Sequence, residues 1–431
     1  MSYRACLCLA VLTGLLACAR EAECSSAAAD YLREAEVVCR ADDGALWGVS
    51  LCGPVLLVDP ATRAVFANQP DRENQLHAEA GVFTGKLPEN INIANTAADW
   101  AGVKWTMIML PLPEERDRRA ALFAHEMWHR IQDRLALSAS AATNNHLDTR
   151  DGRFWLQLEW RALAGALSFS GAEQQNAITD AGLFRARRRK IFPNAPEEES
   201  AMELSEGLAE YTGVKLSGSR DLPGFVIEEE LKSAPAKPTF VRSFAYATGP
   251  AYGLLLDQSL GDRWRTKLRP GDDLATLLLD ARRITLPADL ESAAQERARN
   301  YGSAELALAE DARERKRLDL EQSYRARFVE GSVLTIPLQK MNMQFNPGNL
   351  VPLGDRGTVY PTIRIVDVWG VLDVTENGAL LSSDFTRVSV PAPQPGRKRA
   401  TEGDGWKLEL TAGWSVTPDQ RSGDYVVTHR E

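Results

Sequence analysis

The chain has 431 residues, 44% of them hydrophobic, and a formal charge of −9 at pH 7, with a pI near 5.4. That length exceeds one ordinary domain and supplies enough apolar text for two or three sizeable cores. The acidic balance excludes the basic footprint that a nucleic-acid partner requires, so none is expected.

In chain order, the first feature is a targeting pattern. Arg4 supplies one positive charge, and the run from Ala5 to Ala17 is apolar. The run is too short to span a bilayer permanently and gives way to Arg20-Glu21-Ala22-Glu23, as an export signal does. Leu15-Leu16-Ala17-Cys18 resembles a bacterial lipobox, which implies removal of residues 1–17, lipidation of Cys18 and attachment to a membrane of the cell envelope, periplasmic or outer. A plain secretory signal is the alternative. All six cysteines lie at or before Cys52, so no zinc-binding Cys pair is expected beyond it. With Cys18 lipidated, Cys24, Cys39 and Cys52 remain, and a bridge such as Cys39 to Cys52 suits an oxidising compartment.

Residues 18–112 read as a β-rich region with an edge strand. Leu46–Leu51, Pro54–Val58 and Ala64–Ala67 have strand composition, with a turn at Asp59-Pro60-Ala61-Thr62. Further β text runs over Ile91–Ala94 and Trp100–Leu112. Residues 113–330 read as a mostly helical domain. Its first helix opens near Pro113-Glu114-Glu115, with Pro in the first turn and acids at the positive end of the dipole.

That helix carries His125-Glu126-Met127-Trp128-His129. Residues i and i+4 share a helix face, so both imidazoles can reach one metal ion. Glu126 then stands within one water of that ion, placed to take the water's proton and return it to a leaving group. The chain holds only five histidines, which makes this spacing a specific signal.

Past a polar loop at residues 144–152, helical text resumes over 153–168 with Glu159 on a largely apolar stripe. Arg187-Arg188-Arg189-Lys190 reads as a solvated helix end facing the acidic start of the next helix at Glu197-Glu198-Glu199. Residues 257–331 are charged and helical. Residues 331–431 return to strands, among them 332–336, 362–368, 370–374 and 425–428, with a loop at 391–399. The expected class is α+β: a small β-rich N-terminal part, a helical catalytic domain and a C-terminal β domain.

A zinc site with two His needs a third ligand and an open position. Glu206 lies in Glu206-Gly207-Leu208-Ala209-Glu210-Tyr211, and the H-E-x-x-H motif followed by this segment resembles the gluzincin metallopeptidases. The resemblance implies one Zn2+ held by His125, His129 and Glu206, with Glu126 as general base and Glu210 orienting a ligand His. Tyr246-Ala247-Thr248-Gly249 resembles the Tyr-x-x-Gly segment of aminopeptidase-type gluzincins, which implies Tyr246 as oxyanion donor. Tyr252 and His146 are lesser candidates for that role.

The resemblance covers roughly residues 115–265. It departs from the pattern in the spacer between His129 and Glu206, which is unusually long, in Ser205 where Asn is usual, and in Arg130 directly after the second His. The strand before the helix lacks the acid that aminopeptidases use to hold an α-amino group, which favours endopeptidase action or a non-peptide substrate; a peptide or protein substrate is the expected partner. Glu159 remains the alternative third ligand, since a carboxylate on an apolar helix needs a partner. Hydrolysis of a non-peptide bond and a catalytically silent envelope scaffold are the other functional readings.

Overall fold

The computed structural model describes residues 26–88, 90–137, 143–346, 349–393 and 401–429. The export signal, Cys18 and Cys24 lie outside the described residues, as does most of the loop expected at 391–399. The described chain is 49% helix and 20% strand, with strands at both ends and helices between, an α+β fold. It forms two compact units, one up to Ser303 and one from Ala304. No helix among the described residues is long and apolar enough to cross a membrane.

The first unit opens with helix α1 (26–42). Six strands follow: β1 (Val55–Val58), β2 (Ala64–Ala67), β3 (His77–Glu79), β4 (Val82–Lys86), β5 (Thr96–Trp100) and β6 (Val103–Met109), in the order β3-β4-β2-β1-β6-β5. Strand β1 is buried along its whole length and pairs parallel to β6, which suits an uninterrupted apolar run at the centre of a sheet. Among the described strands β5 pairs only with β6 and forms the edge.

The strand expected over Leu46–Leu51 is instead a set of turns. Asp43, Gly44 and Gly48 take positive φ values of 46°, 79° and 70°, and the Asp42 carboxylate accepts from the Gly44 and Leu46 amides. Trp47 anchors these turns by donating from Nε1 to Thr212 Oγ1 at 2.9 Å. Cys39 and Cys52 form a disulfide across the segment. The β text at Ile91–Ala94 forms no strand either; pairing begins at Thr96.

Helix α2 (Arg116–Ile131) follows β6, and nearly every residue from Ala120 to Trp128 is buried, as befits a helix with no solvent face over that stretch. Arg130, the unusual charge after His129, donates to the carbonyls of Leu51 and Cys52 at 2.7 and 3.0 Å. It thereby ties the disulfide-bearing turn to the metal-motif helix.

Around α2 are arranged α3 (Arg150–Ser168), α4 (Gly171–Ile191), α5 (Ala195–Met202), α6 (Leu208–Leu216), the short α7 (Leu222–Phe225), α8 (Phe244–Leu260), α9 (Leu274–Ala281) and α10 (Leu290–Ala298). Helices α5 and α6 are joined by a wide π-type turn at Glu203–Gly207.

The basic run in α4 is solvated only at its end: Lys190 is exposed, Arg187 and Arg189 are half-buried and Arg188 lies inside. Arg188 is fully buried and binds Glu199 at 2.7 and 2.9 Å and Glu159 at 2.6 Å. Arg189 also reaches Glu199, at 2.8 Å. The run does face the acidic start of α5, but through a buried network rather than through water.

Burial opposes the charge on Glu199, yet Arg188, His146 and Arg189 hold its carboxyl well below the usual range. Its stabilising contribution is therefore complete above the ordinary value of 4.5 and is lost as pH falls from there toward the folded value. Glu199→Gln should cost about 3–5 kcal/mol near neutral pH, because it leaves a buried guanidinium under-compensated. Urea unfolding of both proteins tests this; the gap should narrow below pH 4.5, and an equal stability at neutral pH contradicts it.

The second unit opens with helix α11 (Ser303–Arg325) and continues as a two-sheet β domain, with seven strands in one sheet and five in the other. Residues alternate in and out along the strand Ile363–Asp367, the pattern of a sheet with one face in the core. Leu334, Ile336 and Val388 from one sheet pack with Ile365, Leu372 and Trp406 from the other. Tyr324 near the end of α11 packs on the outer side with Val359 and Leu380.

Candidate metal centre

His125 and His129 lie on one face of α2, and their Nε2 atoms stand 3.1 Å apart. His125 Nδ1 is 2.8 Å from Glu210 Oε2, and His129 Nδ1 is 3.2 Å from Gln132 Oε1. Each outer partner accepts a hydrogen bond and so fixes the ring proton on Nδ1, leaving both Nε2 lone pairs facing one point. Two lone pairs at that separation repel unless a proton or a metal cation lies between them.

The third group is Glu206, on the π-type turn after α5. Its Oε2 lies 3.8 Å from His125 Nε2 and 3.6 Å from His129 Nε2. Atoms bound tetrahedrally at about 2.0–2.1 Å stand about 3.3 Å apart, so these three separations suit one small cation. The three residues form a buried group able to hold a metal ion.

A wide turn of this type shifts the side chains that follow it, which is a recurrent device at functional sites. Here Leu208 N bonds Glu203 O across the turn. The turn packs against α8 through a glycine pair: a Cβ on Gly249 would collide with the backbone of Gly207. That close approach brings Tyr246 and Arg242 to Glu206. Tyr246 donates to Glu206 Oε2 at 2.5 Å and stacks on the His125 ring at 5.4 Å. Arg242 donates to Glu206 Oε1 at 2.7 Å.

The electrostatics follow from burial and these partners. Burial opposes a charge on His125, but the carboxylates of Glu206 and Glu210 outweigh it and push the imidazole up to about 10. Burial likewise opposes the charge on Glu206, yet both histidines and Arg242 hold its carboxyl far below the usual range. The pocket thus pulls a positive charge to the point between the three groups. Burial pushes the Glu126 carboxyl above its ordinary value, with the two histidines pulling the other way. Burial and then Glu206 push Tyr246 up, so its phenol keeps its proton.

Glu126 is 4% exposed and its Oε2 has no hydrogen-bond partner among the described residues. With His125, Glu210 and Tyr246 it lines a cavity of about 350 Å³ beside the centre, into which Asn95, just before edge strand β5, also faces.

The other residues weighed from sequence lie elsewhere. Glu159 is fully buried and accepts from Arg185 at 3.0 Å, Arg188 at 2.6 Å and Tyr252 at 2.7 Å. Its partners are two guanidinium groups, which removes the argument for it as a ligand. Tyr252 is occupied by that contact. His146 sits 2.9 Å from Glu199 and lines a separate cavity.

Sequence reasoning missed Gln132 and Arg242. Gln132 follows His129 by three residues on the same helical track, a spacing that could have flagged it. Arg242 precedes α8 and carries no such local signal.

No family model, no curated protein and no solved structure matches this chain, so its centre is interpreted from its own geometry.

Proposed function

We propose that the chain is an exported, lipid-anchored zinc hydrolase of the gluzincin kind that cleaves internal bonds of peptide or protein substrates. The observation that carries this reading is the convergence of two imidazole lone pairs and the Glu206 carboxylate beside the buried, unpartnered Glu126 Oε2. Two His and one carboxylate with a fourth position open are the donors of a catalytic zinc rather than a closed structural one. Zinc bound there would polarise a carbonyl and make water easier to deprotonate.

The chain's own groups supply the rest. Glu126, made more basic by burial, is placed to accept a proton from an attacking water and pass it to the departing amine. Tyr246 retains its proton and can donate to the developing oxyanion. Glu210 and Gln132 hold the two rings in one tautomer. Strand β5 is the edge of its sheet, so an extended peptide could pair along it toward the cavity. The Cys39–Cys52 bridge suits an exported chain.

The test is cleavage of internally quenched peptides and an unfolded protein by chelator-stripped and zinc-restored chain. Zinc-dependent cuts at internal bonds, located by mass spectrometry, are expected. Zinc binding without cleavage of any peptide bond would contradict the peptidase assignment. Export and anchoring are tested by fractionation: Cys18→Ala should leave the membrane fraction, and a wild-type chain that never enters that fraction contradicts the anchor.

A further inference from the structure

The cavity beside the centre is polarised. Its apolar wall includes Leu122 and Phe225, while Glu229 and Glu230 bring carboxylates to it. Two of the acids around it are already answered: Glu229 pairs with Arg118 at 2.5 Å, and Glu210 is held by His125 at 2.8 Å. Glu230 makes no side-chain hydrogen bond or ion pair among the described residues. Burial and then Glu210 push its carboxyl up to about 8, with Lys237 opposing, Glu229 adding to the rise and His125 opposing least. Independently, the buried and unpartnered Oε2 of Glu126 belongs to a residue lining the same cavity. His125 and Glu126 belong to both cavity and centre, so whatever fills the cavity lies next to the bond under attack.

We propose that this cavity accepts a lysine or arginine side chain of the substrate adjoining the cleaved bond, with Glu230 as the residue that selects it. This rests on the peptidase reading only in taking the substrate to be a peptide. A long basic side chain can lay its methylenes along Leu122 and Phe225 while its cationic head lies against the Glu230 carboxyl, which gives up its proton to solvent and pairs with the head as a carboxylate. An acidic side chain would meet Glu210 and Glu229, while Arg118, the cation that lines the cavity, is already paired with Glu229. An apolar one would leave the Glu230 carboxyl buried without a partner, which is costly. The cavity is also larger than a bare α-amino group needs, which favours a side chain over a free N-terminus.

The test is isothermal titration of the full zinc-loaded chain with Nα-acetyl-lysine amide, its norleucine counterpart and glycinamide, read beside cleavage of quenched peptides that differ at one position. The lysine amide should bind about tenfold or more tightly than the norleucine amide, as one charge-assisted contact implies. Glu230→Gln should erase that difference. Glu230→Lys should shift the preference to Nα-acetyl-glutamate amide, a result that a misfolded protein cannot give.

Peptides cut without regard to Lys or Arg, or a lysine preference that survives Glu230→Gln, would overturn the pocket and leave the peptidase reading intact. Selection of the lysine amide with no peptide cleaved would support the pocket and remove that reading. Glycinamide binding as tightly as the lysine amide would overturn the side-chain assignment.

Discussion

If the chain is the proposed zinc peptidase, Glu126→Gln should lower its peptide hydrolysis about 10²–10⁴-fold, the usual contribution of a positioned general base, and should leave metal binding intact. Gln has the same shape but cannot take a proton. Among the described residues the other carboxylates at the centre have partners of their own: Glu206 belongs to the donor set that could hold a metal ion and accepts from Tyr246 and Arg242, and Glu210 is hydrogen-bonded to His125. Glu126 Oε2 makes no internal hydrogen bond, so the substitution disrupts no network and the fold should survive. Steady-state kinetics and metal content of the same preparation separate the two effects. Activity within a few-fold of wild type contradicts the role given to Glu126, and loss of metal shows that it contributes to binding.

Glu206→Ala and Glu159→Ala should fail in opposite ways. Without Glu206 the two imidazoles keep their lone pairs converged but lose the carboxylate that completes the donor set, so metal binding collapses. Without Glu159 the metal stays and the fold weakens. That carboxylate is fully buried between Arg185 and Arg188, and removing one member of a buried ion pair costs about 3–5 kcal/mol. Zinc stoichiometry and urea unfolding of both variants give the comparison. Zinc lost with Glu159→Ala and kept with Glu206→Ala would reverse the assignment of the third ligand.

What could be read from the sequence was whatever depends on local spacing. His125 and His129 are one helical turn apart, and Glu206 with Glu210 repeats that spacing in a segment of recognisable composition. The alternation of the C-terminal strands and the apolar run of β1 are legible for the same reason. What escapes depends on partners far along the chain. Glu159 resembles a carboxylate in search of a ligand because its guanidinium partners lie 26 and 29 residues later, on another helix. The same pairing turns an expected solvated basic run into a buried network. The turns at 43–49 have the composition of a strand, and the hydrogen bond that anchors them runs from Trp47 to Thr212, 165 residues away. Arg242 reaches Glu206 only through the glycine contact between α8 and the π-type turn.

The most direct measurement is the zinc content of the purified chain from Ala19 onward, by elemental analysis, for wild type and for His125→Ala. The converging donors predict one equivalent of zinc per chain in the wild type, lost in the variant. Wild-type protein that takes up no zinc under zinc-replete conditions would contradict the metal centre, and the hydrolase assignment with it.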